Sequence, residues 1–342
     1  MDTRVELPLV QPFYSTYHYQ APGLAVAVDN PTIRNFFLND LMLLQCETRF
    51  LSGYTGLELT VDGTYWTISP HLEKHGYDTC FLHGSLHTVI REMLDAGYYV
   101  CFAGVDDYYV PGKSWYRERH FAHDGLIHGY DRADKTYLLY AYDQNWRYRS
   151  FWTPQAAFGR AHAAAARNGA NGELWAIRAL PGKVPFLPER ALRGIAAYLD
   201  CASSPSGMVR GAAAQACTAL YLEKLQSGVI PLEKLDRRVL HVIWEHKRGM
   251  YERIVRVEDA FGWGHMCSER YAPLVEQAER LRMLYAAHVM RPREGALTVI
   301  RKELLALSDD ERTILRALLE RSKEVLAYGA VAEIEAEAAR PS

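Results

Sequence analysis

The sequence predicts an α+β domain followed by a mainly helical extension, and three observations support this fold class. Sixteen of the 22 tyrosines lie before residue 155, and aromatic side chains favour the pleated surface of a sheet. The second half is rich in Ala, Leu, Glu and Arg, which lose little rotamer freedom in a helix. Prolines punctuate the stretch from Pro181 to Pro188 between these regions. We therefore expect one domain over residues 1–183 and a helical domain over residues 184–342.

The elements of the first domain follow from local patterns. Apolar side chains recur on one face of residues 33–45, which indicates a helix. A second helix, over residues 85–96, ends at Gly97, as helices commonly do. The apolar run that follows it, residues 98–105, has the length of a buried strand. Further strands are predicted at residues 126–130 and 136–142, joined as a hairpin, and at residues 174–180.

The second domain is predicted to consist of helices. Four of them cover residues 189–201, 208–226, 231–261 and 271–290. The last helix has a distinct start signal, because Ser308 followed by Glu311 matches a capping box. We therefore expect that helix to cover residues 309–327.

Composition excludes several classes of function. The chain has 342 residues, with 39 Lys+Arg against 41 Asp+Glu, so no strong field favours nucleic acid or an anionic membrane. No apolar run has the roughly 18–20 residues needed to cross a bilayer, and the acidic residues near the N-terminus do not fit a signal peptide. The six cysteines form no CxxC pair. These observations predict a cytoplasmic protein with reduced thiols.

One histidine and one aspartate stand where chemistry is expected. His123 lies at the beginning of the first hairpin strand, and Asp143 lies at the end of its partner strand. A hairpin brings such positions side by side. An imidazole can then accept a proton, while a carboxylate on its other nitrogen fixes the tautomer and stabilises the imidazolium. We predict His123 as a general base and Asp143 as its orienting carboxylate.

The order of motifs resembles a known family. The stretches AGYYVCFAGVDDYYVPG (96–112), SWYRERHFAHDGLIHGYD (114–131) and YLLYAYD (137–143) resemble the butirosin biosynthesis protein H N-terminal family over roughly residues 10–180. This resemblance implies a papain-like domain with N-terminal helices and an antiparallel sheet. It also implies that His123 and Asp143 belong to the catalytic site.

The family's activities supply the functional expectation. Its relatives include acyltransferases that move an acyl group from a carrier-protein thioester to an amine, and amide-forming enzymes of thiotemplated, nonribosomal peptide assembly. More distantly, it resembles bacteriocin-processing cysteine peptidases. The resemblance therefore implies an acyltransferase or amide-forming enzyme of natural-product biosynthesis. The alternatives are a noncatalytic homologue that binds a carrier protein or intermediate, and a cysteine hydrolase or peptidase.

The nucleophile is where this sequence departs from the family. The family places a cysteine at the N-terminus of its first helix, where the helix dipole favours the thiolate, but residues 14–23 contain none. Cys46 is the first cysteine in the chain, predicted near the end of the helix over residues 33–45. Ser15 or Thr16 offers a hydroxyl in its place. Two further possibilities are direct transfer without an acyl-enzyme and a catalytically inactive protein.

The remaining expectations concern substrates and partners. The paired aspartates after the buried strand, Asp106 and Asp107, are suited to coordinating a cation, to binding a substrate amine or to capping a turn. We expect Asp106, Tyr109, His18 and Gln20 to bind substrate. The expected partners are an acyl or peptidyl carrier protein, whose phosphopantetheine arm carries the acyl group, and a small amine. No further cofactor, metal, nucleic acid or membrane is expected, and a homodimer is left open.

Overall fold

A computed structural model of the chain describes residues 3–17, 20–26, 32–53, 55–61, 70–79, 86–170, 172–182, 184–200 and 207–323. The chain divides into two compact units, each built from two stretches of sequence. The first unit comprises Met1–Arg34 and Thr64–Val184, and the second comprises Asn35–Gly63 and Pro185–Ser342. Residues 35–63, which the sequence analysis assigns to the first domain, therefore belong to the second unit.

Strands and helices are numbered here in chain order over the described residues. The strands are β1 (Arg4–Glu6), β2 (Leu44–Glu47), β3 (Leu59–Val61), β4 (Leu72–Asp78), β5 (Tyr99–Asp106), β6 (Ala122–Asp131), β7 (Thr136–Tyr142), β8 (Tyr148–Pro154), β9 (Glu173–Ala179) and β10 (Met208–Arg210). The α-helices are α1 (Ala21–Ala25), α2 (Thr32–Asp40), α3 (Leu86–Asp95), α4 (Gln155–Arg167), α5 (Pro188–Asp200), α6 (Ala213–Gln226), α7 (Val239–Phe261), α8 (Met266–Met290) and α9 (Ala296–Arg321).

The first unit is organised around one antiparallel sheet. Its strand order is β4-β9-β5-β6-β7-β8, and β1 pairs with the far end of β6. Helices α3 and α4 contribute Ile90, Leu94 and Phe158 to a core that also contains inward side chains of β5, β6 and β7, such as Phe102 and Ile127. Burial of these apolar side chains is the main force that holds the helices on the sheet.

The predicted elements of the first unit are confirmed where the hydrophobic pattern was strong. Helix α3 and strands β5, β7 and β9 lie within one residue of their predicted positions. The β6–β7 hairpin is present, but β6 begins at Ala122, four residues before its predicted start at residue 126. The helix predicted over residues 33–45 was too long, because α2 ends at Asp40 and Leu44–Glu47 form β2. Cys46 pairs there with Leu59 on β3 and with Val209 on β10. Strand pairing distant in sequence therefore overrides the local helical pattern.

The second unit contains most of α2, the small sheet β10-β2-β3 and the helices α5 to α9. The start predicted for the last helix was wrong. Helix α9 runs without interruption from Ala296 to Arg321, so Ser308 and Glu311 lie in its middle. Both side chains are buried, and the Glu311 carboxylate faces other helices instead of capping its own N-terminus.

Glu311 is the centre of a fully buried polar cluster in this unit. Its carboxylate accepts hydrogen bonds from the ammonium of Lys247 at 2.7 and 2.8 Å and from the hydroxyls of Tyr198, at 2.9 Å, and Tyr271. The side-chain amide of Gln215 donates to the same carboxylate at 2.5 Å. These five residues come from α5, α6, α7, α8 and α9, so one carboxylate links all five helices.

Within the described ranges, every helix is too short or too polar to traverse a lipid bilayer.

Candidate active site

The candidate site lies where β5 ends and β6 begins. Val105 of β5 pairs with His123 of β6, and the backbone N–H of Asp107 donates to the carbonyl of Phe121 at 2.9 Å. Asp107 begins a short 3-10 turn, Asp107–Tyr109, directly after β5. The pairing of Val105 with His123, together with the hydrogen bond from the Asp107 N–H to Phe121, brings the side chains of Asp107 and His123 together.

His123 and Asp107 form an imidazole–carboxylate pair. Nδ1 of His123 donates to Oδ2 of Asp107 at 2.5 Å. The Asp107 side chain is 1% exposed and the imidazole is 17% exposed. The carboxylate is therefore buried, whereas the imidazole ring is in contact with solvent. The ring of Phe121 packs edge-on against the imidazole, with 4.4 Å between ring centroids. Carboxylate and phenyl ring together fix the orientation of the imidazole, and proton exchange with a substrate falls to Nε2.

A buried lysine lies behind this pair. Nζ of Lys113 is 3.5 Å from Oδ1 of Asp107, and its side chain is only 1% exposed. Burial lowers the pKa of Lys113, while the nearby carboxylates of Asp107 and Asp124 act in the opposite direction. Lysine is seldom fully buried without a partner. The site therefore contains three neighbouring ionisable groups: the imidazole of His123 and the carboxylate of Asp107, which form the dyad, and the ammonium of Lys113.

A second imidazole–carboxylate pair lies next to the first. Nδ1 of His120 donates to Oδ2 of Asp106 at 2.7 Å, and Oδ1 of Asp106 accepts from the backbone N–H groups of Tyr108 and Phe121, each at 3.2 Å. The His120 ring stacks on Tyr108 with centroids 4.3 Å apart, although its side chain is 57% exposed. Asp106 is buried. It therefore caps the turn after β5 and positions His120.

The predicted partner of His123 was wrong. Asp143 follows β7, and its carboxylate accepts from the backbone N–H groups of Asn145, at 2.7 Å, and Arg147, at 2.9 Å, and from Nε of Arg149, at 2.5 Å. Burial opposes ionisation, but these hydrogen bonds and the guanidinium lower the pKa of Asp143 below its ordinary value. Asp143 stabilises the β7–β8 turn, and Asp107 takes the orienting role.

Cys46 is placed where a nucleophile is disfavoured. Its thiol is buried in β2 of the second unit. A hydrogen bond with the Cys217 thiol and burial both raise the pKa of Cys46, and only the thiolate is a competent nucleophile. Among the described cysteines, Cys46, Cys101, Cys217 and Cys267 are free thiols.

This environment predicts selective thiol labelling. The hydrogen bond from Cys46 lowers the pKa of Cys217, which is half-buried. During a short pulse of iodoacetamide at about pH 7.5, we expect Cys217 to be alkylated at least about 10-fold faster than Cys46. Peptide mapping by mass spectrometry measures both rates, and urea-unfolded protein provides the fully labelled control. Equal or faster labelling of Cys46 would contradict its assignment as an inert thiol.

The other predicted site residues lie in different environments. Ser15 accepts a hydrogen bond from the Tyr142 hydroxyl at its backbone carbonyl, 2.7 Å away, and Thr16 is buried. Gln20 is buried just before α1. The ring of Tyr109 lies 5.9 Å from that of His120, beside the second dyad. His18 lies outside the described residues.

Sequence reasoning assigned the orienting role to the wrong aspartate and gave Lys113 no role. The signal that identifies Asp107 is its position directly after β5, in the turn beside the start of β6, and it requires the register in which β5 pairs with β6. Nothing in the local sequence marks Lys113, because its burial depends on the turn that follows Val110. Among the described residues, no group of three or more His, Cys, Asp or Glu side chains is arranged to hold a metal ion.

Comparisons with known proteins assign no family. No family model matches the chain, and no curated protein matches it.

Proposed function

We propose that this protein is an acyltransferase that moves an acyl group from a carrier-protein thioester to an amine. His123 is the general base, and Asp107 is its orienting carboxylate. The observation that carries the proposal is the 2.5 Å hydrogen bond between a partly exposed imidazole and a fully buried carboxylate. The proposal includes a papain-like arrangement of the first unit and kinship with the butirosin biosynthesis protein H N-terminal family.

The reaction needs one proton acceptor that later returns the proton. Nε2 of His123 removes a proton from the amine as the nitrogen attacks the thioester carbonyl and the new C–N bond forms. The C–S bond then breaks, and the departing sulfur takes the proton from the imidazolium. Thioester and amine become amide and thiol without any other reagent. The Asp107 carboxylate stabilises the imidazolium between these two steps.

The environment of the Cys46 thiol favours direct transfer of the acyl group from the thioester to the amine, without an acyl-enzyme. Cys46 is buried and its pKa is raised, so an acyl-enzyme on this residue is disfavoured. A thioester already activates the carbonyl, and a correctly oriented amine gains effective concentration from binding beside the base. A covalent intermediate is therefore unnecessary.

The test is a transfer assay with an acylated carrier protein and a panel of small amines. Intact-mass analysis is expected to show acyl loss from the carrier protein and formation of the amide, with no mass added to this chain. An added acyl mass on Ser15 or Cys46 would establish a covalent route instead. Binding of the carrier protein without turnover for any amine in the panel would favour the noncatalytic alternative. Cleavage of peptides that depends on Cys46 would favour the peptidase.

A further inference from the structure

We infer that Lys113 is a positioning residue whose ammonium offsets the charge of Asp107 and thereby opposes protonation of His123. The inference rests on the proposed role of His123 as a general base. Its experiment, however, follows the protonation of His123 itself and does not require turnover. A failed transfer assay and a failed test of Lys113 are thus separate outcomes.

The geometry of the buried pair is unusual. Oδ1 of Asp107 and Nζ of Lys113 are both buried, and neither makes a hydrogen bond with a described residue. Their separation of 3.5 Å makes them an ion pair with poor hydrogen-bond geometry. Buried carboxylate oxygens are almost always satisfied. The Lys113 ammonium is therefore held where it acts on the dyad mainly through its charge.

The turn after β5 fixes the lysine in this place. The backbone N–H of Lys113 donates to the carbonyl of Val110, and the N–H of Tyr116 donates to the carbonyl of Lys113, each at 3.2 Å. Arg117 adopts a φ of 59°, a conformation that a non-glycine residue adopts only when its surroundings require it. Its N–H donates to the carbonyl of Tyr108 at 3.1 Å. These successive turns therefore fix the backbone of Lys113 where its ammonium lies next to Asp107.

Charge counting gives the direction of the effect. With Lys113 charged and Asp107 ionised, the buried site is neutral while His123 is neutral, and protonating His123 makes it cationic. Without the ammonium, the same proton would neutralise a buried carboxylate. A buried ionised carboxylate beside an imidazole strongly favours the imidazolium. Lys113 therefore opposes protonation of His123, with an effect of about one pH unit at the effective dielectric of a partly buried site.

Other charged groups around the dyad do not reverse this sign. Asp124 on β6 interacts favourably with Lys113 and helps to keep it charged, although burial lowers the pKa of Lys113. Asp106 is hydrogen-bonded to His120 on the turn after β5, and Asp143 is paired with Arg149 on the β7–β8 hairpin. These groups are the same in the wild-type protein and in the Lys113 variants, so they do not contribute to the difference between them.

The experiment is an NMR titration of the His123 ring in the full chain, with the resonance assigned by its loss in His123→Ala. In Lys113→Met, the midpoint of the titration is expected to move upward by about one pH unit. Lys113→Arg keeps the charge and is expected to leave the midpoint unchanged within about 0.3 unit. Lys135→Met, at an exposed lysine of the β6–β7 turn, is the matched control and is expected to have no effect.

A second variant covers the case in which Lys113→Met fails to fold. Lys113→Gln removes the charge but keeps a polar side chain, and it is expected to raise the midpoint by about one unit as well. An unchanged or lower midpoint on loss of the charge, in whichever of the two variants folds, would overturn the inference. So would an equal upward shift in Lys113→Arg, because that variant retains the positive charge.

Discussion

Replacing His123 by alanine is expected to reduce the rate of acyl transfer by at least about 100-fold, the lower end of the contribution of a positioned general base. Asp107→Asn is expected to cause a similar loss, because an amide cannot stabilise the imidazolium and can hold the ring in the wrong tautomer. Asp107 is fully buried while His123 is partly exposed. Initial rates of amide formation, measured by mass spectrometry at saturating carrier protein, test both variants.

The neighbouring dyad provides the matched control for this prediction. His120 also donates through Nδ1 to an aspartate, but it belongs to the more exposed pair with Asp106. His120→Gln is expected to retain transfer within about 10-fold, because the proposal gives His120 no role in proton transfer. A large loss of activity in His120→Gln, with normal rates in His123→Ala, would show that His120 and not His123 is the base.

The hairpin and its histidine could be predicted because the patterns involved are local. Strands β6 and β7 are largely buried runs joined by a short polar connector, and His123 lies just before the apolar part of β6 that this pattern defines. Extending the β6–β7 register would place Asp143 opposite His123. The observed pairing stops at Leu126 and Tyr140, and the side chain of Asp143 turns into the β7–β8 loop.

The partner of His123 could not be predicted from spacing, because the choice between two aspartates depends on local competition. Asp143 finds two backbone N–H groups and Arg149 within its own turn, which is the usual behaviour of aspartate in turns. Asp107 lies directly after β5 and is buried. Its neighbours there are the imidazole of His123 and the ammonium of Lys113. A motif gives the residue types, whereas the pairing of β5 with β6 determines which carboxylate is used.

The second unit illustrates the same limit. Ser308 and Glu311 have the spacing of a capping box, but that spacing also puts both residues on one face of a longer helix. Because α9 packs against other helices, the face is buried and Glu311 serves the polar cluster. Sequence alone could not distinguish these outcomes, since the donors Tyr198, Lys247 and Tyr271 lie on three other helices.

Glu311→Gln is expected to destabilise the second unit by about 3–5 kcal/mol at pH 7, because it leaves the ammonium of Lys247 buried without its counterion. Both side chains are 0% exposed, so water cannot replace the lost partner. Urea unfolding, monitored by hydrogen exchange in peptides from α7 and α9, measures the loss of stability within this unit. Glu320→Gln, at an exposed glutamate near the end of α9, is the matched control and is expected to change stability by less than about 0.5 kcal/mol.

The pH dependence of this difference identifies its origin. Burial would raise the pKa of Glu311, but Lys247, His246 and the hydrogen-bond donors lower it to about 2. A carboxylate whose pKa is lower in the folded state stabilises fully above its ordinary pKa, and this contribution disappears as the pH falls towards the folded value. The gap between the wild-type protein and Glu311→Gln should therefore be widest near neutral pH and narrow between about pH 4.5 and pH 2.

His246 contributes acid sensitivity that the variant retains. Burial and the neighbouring Lys247 lower the pKa of His246 to about 3 from its ordinary value of 6.5, so the unfolded chain takes up a proton first as the pH falls. The wild-type protein and Glu311→Gln should both lose stability below about pH 6.5 through this histidine. Only the wild-type protein should show the additional loss below about pH 4.5. Parallel stability curves over that lower range would mean that the charge of Glu311 does not hold the helices together.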